Sequence, residues 1–532
     1  MVTQLPDTPE NTVIPEKVEF LVRIFVLAMG LMLLSRNIDT WFVGLREDNN
    51  ALYSQFARNH IYYGFGGTKF FQTYGCAQTM PAKPERYLNH PPLLPVWVAM
   101  AMSVFGDHEW VGRSIPIATT LGSAWLLMII IGRLQSPILG LLSGTFYLIL
   151  PIIAYFGRIL DHTSPVQFFS LLMLHGYLQW AGLYGSGYNR KAGTVYYVLG
   201  VLLGTGTDWG AVIMAGLIWL WHLWRVFHNH SSRRFLFWLT AIPAISLAAV
   251  IIHILYGGGY FSNLFLSRII GVGLETPILW REWVSANASY LVGNFSKLGI
   301  GAAAVYPLII TGVIRYTKED SVLRRIVRDG TSVIPILLTL MQGLIWIIAL
   351  KQAETPEYWH YFLAPFFATA MASVILAIFA LISGKIPRFA AGVTILLMFL
   401  PLPFFIGSTE VLYHYKWSSE DTVKLIVVFK KLDRFFPPRT AIMTSENYRS
   451  SSISPPQLDY YSNRPLIYCR DFGEIEANHQ NCAGYLLEAA DDPNTAQLAK
   501  KLMEKYKLVY AEQSYMIFLL NPHPADERML PK

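Results

Sequence analysis

Three acidic sites stand where the sequence passes between strongly apolar and polar stretches. Glu47 and Asp48, in "LREDNNALYSQFARNHIYYGFG" (45–66), follow directly on an apolar segment. Asp161, in "YFGRILDHTSPVQFF", precedes another, and Asp208, in "GTGTDWGAV", sits between two. Ionisable groups at membrane depth are costly and usually functional. A carboxylate held there can take a proton from a hydroxyl as a general base. The plainer reading of each is an interfacial loop carboxylate, or for Asp48 a helix cap beside Asn49. Cationic and aromatic residues are placed to join them: Arg58, His90 in "YLNHPP", Arg158, Arg268, Arg281, and Lys351, Tyr358, His360 and Tyr361 in "KQAETPEYWHYFLAP". Such a group suits a lipid phosphate, to which Arg gives bidentate contacts. Simple anchoring by interfacial aromatic and basic belts is an equal alternative for 351–361.

The elements that position these residues are membrane helices. The chain has 532 residues, of which 53% are hydrophobic and only 14% charged, against about 25% charged in ordinary soluble proteins. The net charge of +7 fits cytoplasmic loops beside anionic lipid better than nucleic-acid binding. The first sixteen residues are polar and Pro-rich without a signal-peptide pattern, so the first apolar segment is expected to be a retained span. A span needs about 20 mostly apolar residues. Such segments lie near 18–36, 110–133, 136–156, 164–185, 193–207, 209–227, 234–256, 297–315, 331–350, 361–383 and 387–407.

A further apolar stretch, 92–106, has three prolines at its start, Pro91, Pro92 and Pro95. If it does not cross, Arg133, Arg190, Lys191, Arg233, Arg234, Lys318, Arg324, Arg325, Arg328, Lys385 and Arg388 all fall on the inner side. Asp161, Asp208, Glu275, Glu282, Glu354 and Glu357 then fall outside, which satisfies the positive-inside rule. If it crossed, every later loop would swap sides. The segment is therefore read as a helix along the outer face. About eleven spans result, up to thirteen, with the amino terminus cytoplasmic. The apolar and aromatic spacing of Leu52, Tyr53, Phe56, Ala57 and His60 predicts a second interfacial helix.

From about residue 409 the composition becomes charged and Pro-rich. "RTAIMTSEN" (439–447) reads as a strand and turn, "QLDYYSNRPLIYC" (457–469) as a helix end, turn and strand, "TAQLAKKLMEKYKLVYAE" (495–512) as a helix then a strand, and "SYMIFLLN" (514–521) as a strand. Residues 1–408 are thus expected to form the membrane domain and 409–532 a small outer α/β domain. Cys469 and Cys482 could pair in an oxidising compartment; two separate thiols are the alternative.

The sequence has no phosphate-cradling Gly-rich loop in strand–helix context, no metal-spaced Cys/His cluster and no nucleophile elbow. Two or three carboxylates could bind a divalent cation or work without one. "NAS" (287–289) and "NFS" (294–296) match the short glycosylation sequon. A lipid or sugar transporter is the alternative class, but no fixed-period or inverted repeat is evident.

The chain resembles the polytopic GT-C glycosyltransferases, most closely the protein O-mannosyltransferase and lipid A aminoarabinose transferase superfamily. The matching stretches are "REDNNALYSQFARN", "NHPPLLPVWVAMAMSVFGDHEWVGRSIP", "GRILDHTSPVQFFSLLML", "EYWHYFLAPFFA" and "QLDYYSNRPL". The resemblance implies transfer of a sugar from a polyprenyl-phosphate carrier to a glycan, lipid or protein acceptor outside a bacterial inner membrane. It assigns the general base to Asp48, with Glu47 as alternative, and makes Asp161 a second essential acid. The pair reads Glu-Asp here where many members read Asp-Glu. Where many members carry a Lys after Leu-Thr, this chain has "GTGTDWG", so Asp208 would face the acceptor or cap a helix.

Overall fold

The computed structural model describes residues 15–184, 189–231, 233–258, 278–316, 330–351, 356–383, 420–445, 455–488, 493–512 and 515–521. It forms two compact units. One comprises Met1–Ile38, Leu88–Leu94 and Arg113–Tyr415, the other Asp39–Tyr87, Pro95–Gly112 and Lys416–Lys532. The second unit therefore takes in most of the first loop as well as the carboxyl-terminal segment.

The helical unit contains α1 (Glu16–Leu34), most of α4 (Glu109–Leu134), α5 (Pro137–Ile149), α6 (Pro151–Phe156), α7 (Thr163–Trp180), α8 (Arg190–Thr207), α9 (Gly210–Phe227), α10 (Arg233–Tyr256), α11 (Trp280–Tyr316), α12 (Ile334–Ala349) and α13 (Ala364–Ser383). A helix thus lies over each expected span except 387–407, which falls outside the described residues. Among the described residues, four helical stretches are long and apolar enough to cross a membrane: Glu109–Leu134, Gly210–Phe227, Arg233–Tyr256 and Glu357–Ile378. On α10 the large side chains Phe237, Trp238, Ile245, Ile252 and Leu255 are all exposed. An apolar face of that size belongs against hydrocarbon rather than water.

Three helices differ from the hydropathy reading. The 136–156 span is broken at Leu150, where φ −53° and ψ 133° divide α5 from α6. Pro151 causes this, because a residue before proline is driven out of the helical region. The 297–315 span begins earlier, at Trp280, and kinks at Ser296 with φ 61°. A 3-10 turn, Glu357–Leu363, leads into α13. Helix α3 (Leu93–Phe105) has 13 residues, about 20 Å at 1.5 Å per residue. That is short of the ~30 Å hydrocarbon core.

Antiparallel α7 and α8 pack with their backbones nearly touching. A Cβ on Gly176 would lie 2.3 Å from the Tyr197 nitrogen, and one on Gly200 would lie 2.6 Å from the Met173 nitrogen. Small residues at such crossings let helices gain dispersion contact where lipid removes any hydrophobic drive. This pairing fixes where α8 ends, and therefore where Asp208 stands.

The second unit contains α2 (Asp48–Thr68), the short hairpin β1 (Gln72–Thr73) and β2 (Arg86–Tyr87), most of α3, and α14 (Glu420–Leu432). It continues with β3 (Ile442–Thr444), α15 (Pro455–Ser462), β4 (Leu466–Tyr468), α16 (Phe472–Asn478), β5 (Gly484–Glu488), α17 (Pro493–Lys505), β6 (Lys507–Glu512) and β7 (Tyr515–Leu519). Five strands form a mixed sheet in the order β4-β3-β5-β7-β6. β3 runs parallel to β4 and β5, and β7 is antiparallel to β5 and β6.

Side-chain alternation splits the core in two. Leu486 and Ile517 join Phe42, Ala51, Leu425 and Phe429 on one face. Tyr485, Leu487 and Phe518 join Ile475, Leu498 and Leu502 on the other. Cys469 and Cys482 lie within this second cluster as free buried thiols, the second of the two alternatives the sequence left open. Cys469 instead points its thiol at Met443 Sδ, 3.4 Å away.

Gly200→Val drives a side chain into the Met173 backbone. It should destabilise the helical unit by at least the ~1–3 kcal/mol typical of overpacking, read as a lowered Tm in detergent. An unchanged Tm would show that α7 and α8 can separate without loss.

Candidate active site

In the helical unit the structure brings together residues far apart in sequence. Asp208 follows the last residue of α8, in extended backbone, and its N–H closes the helix on the Gly204 carbonyl. Its side chain is 2% exposed, and Oδ1 lies 2.7 Å from His90 Nδ1. Trp209 Nε1 donates to the Asn89 carbonyl at 2.9 Å. The His90 ring stacks on His162, with centroids 4.2 Å apart and planes 16° apart. Asp161, next to His162, accepts the Thr163 N–H at 3.0 Å and is 8% exposed. Two carboxylates and two imidazoles thus gather at one end of the unit, where α7 begins and α8 ends. His162 was not singled out from the sequence; its only signal there was its position beside Asp161.

Burial pushes the Asp161 carboxyl up to about 6; the Thr163 N–H and nearby His90 oppose the rise, and the Asp208 charge adds to it. Burial, followed by the charge of His90, holds the His162 imidazole well below its ordinary range. A carboxyl poised near neutrality inside a polar cluster suits acid–base chemistry.

Other expected residues of this unit lie elsewhere in it. Arg158 donates to the Arg36 carbonyl and lies over the Tyr155 ring. Tyr361 is fully buried, and its hydroxyl joins Thr120 at 2.8 Å. Thr120 in turn meets Ser164 at 2.8 Å, so the hydroxyl chain ties α4 and α7 to the 3-10 turn. His360 is buried, with Nδ1 3.1 Å from the Glu357 carbonyl. Tyr358 packs on Phe156. Lys351 lies over the Trp280 ring at 4.2 Å. Asn287 and Asn294 of the two sequons are buried, their amides donating to the carbonyls of Trp283 and Glu357. Arg268 lies outside the described residues.

In the second unit the two acids of the pair have different settings. Glu47, 2% exposed, precedes α2, and its Oε2 accepts the N–H groups of Val43 at 2.9 Å and Gly44 at 2.8 Å. Arg46 makes this fold-back with φ 60°. Glu47 therefore closes a turn. Asp48 is the first residue of α2 and only half-buried, at the end of the helix where N–H groups favour negative charge. The flanking residue expected to be Asp48 is thus Glu47. Arg58 pairs with Asp107, donates to the Tyr460 carbonyl and covers the Tyr460 ring at 3.7 Å. Among the described residues no group of three or more His, Cys, Asp or Glu is arranged to hold a metal.

Solved structures of low sequence identity share this architecture along nearly its whole length. ArnT from Cupriavidus metallidurans, in the apo state, matches with a TM-score of 0.60 at 12% identity, over 95% of this chain and 98% of its own. The same protein bound to undecaprenyl phosphate matches at 0.59. The chain has the GT-C fold. The archaeal oligosaccharyltransferase AglB from Archaeoglobus fulgidus, in complex with an inhibitory peptide and a dolichol-phosphate, matches at 0.54 and 12% identity, over 92% of this chain and 72% of its own. The arabinofuranosyltransferase AftD from Mycobacteria matches at 0.53 and 11% identity, over 97% of this chain and 40% of its own. No protein-family model and no curated protein sequence matches the chain. The GT-C fold expected from the sequence is therefore present.

The raised Asp161 carboxyl gives a signed pH dependence. Between its ordinary 3.8 and about 6 the native state holds a proton that the unfolded chain has lost. Stability contributed by this group should fall as pH rises through that window. Asp161→Asn should remove that part of the slope in unfolding midpoints measured from pH 4 to 7. The same slope in the variant would assign the titration elsewhere.

Proposed function

We propose that this protein is a membrane glycosyltransferase. It moves a sugar from a polyprenyl-phosphate donor to an acceptor hydroxyl or phosphate at the outer face of a bacterial inner membrane. The observation that carries the reading is the match, over nearly all of both chains, to a protein solved with undecaprenyl phosphate bound. Acidic groups beside the apolar helices support it.

In this reading a carboxylate takes the acceptor's proton, and the acceptor oxygen attacks the sugar C1. The bond from C1 to the phosphate oxygen breaks, and the lipid phosphate leaves with the electron pair. The resemblance assigns the base to Asp48, with Glu47, whose Oε2 accepts two backbone N–H groups, as the alternative. Asp161 is the second essential acid. Burial raises its carboxyl to about 6, close enough to neutrality for acid–base assistance. Hydrogen-bond donors around the departing phosphate stabilise its growing charge. The sugar, hexose or pentose, and the acceptor class are to be read from the product.

Transfer from radiolabelled polyprenyl-phosphate sugars in membranes tests this. Asp48→Asn and Asp161→Asn should each lower transfer by about 10²–10⁴-fold, the span of general acid–base contributions, with expression and folding retained. Glu47→Ala should instead act on stability, losing about 1–3 kcal/mol as two N–H groups lose their acceptor. Repeating the assay with and without a chelator reads metal dependence directly. If wild type consumes no donor, the transferase reading fails and a transporter takes its place.

A further inference from the structure

Among the described residues, α9 and α10 are two of the four helical stretches long and apolar enough to cross a membrane, so the turn between them stands at a membrane surface. It lies at the end of the helical unit away from Asp161 and Asp208, where α7 ends and α8 begins. The chain folds back tightly there: the His230 N–H donates to the Arg225 carbonyl at 2.8 Å. Phe235, early in α10, packs on Trp180 and His222, with ring centroids 4.0 and 4.7 Å away. Gly193, near the start of α8, closes against the same Trp180, where a Cβ would stand 2.5 Å from the Trp180 nitrogen. Four cations thereby share one neighbourhood: Lys191, Arg225, Arg233 and Arg234.

No acid of these helices answers them. Asp208, at the far end, is the only Asp or Glu between Asp161 and Glu275. Among the described residues none of the four cations makes an ion pair. Lys191, Arg233 and Arg234 are exposed, and Arg225 is half-buried. Arg225 donates to neutral oxygens, the Tyr177 hydroxyl at 3.5 Å and the His230 carbonyl at 3.4 Å. These use two of the five N–H donors that a guanidinium carries. Beside the cations, Trp224, Phe227, Phe237 and Trp238 are exposed, and Trp is favoured at headgroup depth. Cations without acids, next to exposed rings, fit a phosphate that carries acyl chains. The guanidinium fork matches the phosphate oxygens, and the rings meet the top of the chains. A signal for membrane topology needs the charges but not the rings.

We propose that this end of the helical unit binds an anionic phospholipid of the surrounding leaflet. The lipid phosphate sits among Lys191, Arg225, Arg233 and Arg234, and the acyl chains run along α9 and α10. Basic clusters between membrane helices are a general means of holding such headgroups. Sugar transfer does not enter: the site lies at the opposite end of the unit from the acidic cluster and takes part in no step of that reaction. The competing account is a diffuse positive field, in which every basic loop attracts anionic lipid alike. The two differ in whether the position of the charges matters.

Lipid binding to the full, delipidated chain in detergent tests this, with phosphatidylglycerol and phosphatidylcholine titrated separately and bound lipid counted by native mass spectrometry. Wild type should bind phosphatidylglycerol at least about 25-fold more tightly, the scale of two cations at about fivefold each. Arg233→Gln/Arg234→Gln should remove most of that preference. Taking the same charge from another basic loop, as Lys318→Gln/Arg324→Gln, should change it by less than about twofold, as distant sites do. Because loss of charge can also disturb membrane insertion, wild type supplies a second reading. Raising ammonium acetate from about 0.1 to 1 M shortens the screening length from about 10 to about 3 Å; phosphatidylglycerol affinity should fall while phosphatidylcholine affinity stays. Equal affinity for the two lipids in wild type overturns the proposal, and so does an unchanged preference in Arg233→Gln/Arg234→Gln. An equal loss in Lys318→Gln/Arg324→Gln overturns it in favour of the diffuse field. Displacement of the lipid by inorganic phosphate at equal concentration would make the ligand a free anion and overturn the lipid assignment.

Discussion

A carboxylate buried at the end of helix α8 has to be answered by a hydrogen-bond donor, and the helical unit meets that demand at Asp208. Left uncompensated, a buried charge costs several kcal/mol. The answer comes from His90, 118 residues earlier in the chain. For the two to meet, α8 must end at a fixed height, and its glycine contacts with α7 set that height. The same contacts place the start of α7, and with it Asp161 and His162. Helix packing and the electrostatics of the cluster are therefore one problem: a shift between α7 and α8 would uncouple the carboxylates from their histidines.

The second unit solves a related problem with cations. Arg464 is fully buried, and it donates to the Ser462 carbonyl, to Pro437 and to Asp433. Arg439, buried in a left-handed conformation, donates to Asn59 at 2.9 Å and lies over the Tyr62 ring at 3.9 Å. Arg58 is held by Asp107 and Tyr460. Planar guanidinium groups suit such sites because they stack on rings while donating in their own plane. The contacts of Arg439 and Arg58 bind α2 of the first loop to the elements around the sheet. They explain why the helix carrying Asp48 at its start belongs to the same compact unit as the carboxyl-terminal strands.

A fold kept at about 12% identity has a physical basis. In lipid the backbone must satisfy its own hydrogen bonds. Many apolar side chains meet that condition equally well, provided helix lengths and close approaches are kept. What is not interchangeable is the set of polar groups at the helix ends, such as the paired His90 and Asp208.

The sequence by itself determined where helices lie, because hydropathy over about 20 residues reports a requirement of the solvent and not of any neighbour. It also marked β3, β4, β6 and β7 as strand segments but not the central β5, and it marked Glu47, Asp48, Asp161 and Asp208 as acids at apolar boundaries. Pro151 broke a span that hydropathy read as continuous, a signal present in the sequence but outweighed by the apolar run. Tertiary structure alone decided partners. It engaged Glu47 with two amides and left Asp48 half-buried, gave Arg58 to Asp107 and Tyr460, kept Cys469 and Cys482 apart, and set His90 against Asp208 and His162. Such pairings depend on distances between segments tens to hundreds of residues apart. No local pattern records those distances; they follow from how closely helices and strands can pack.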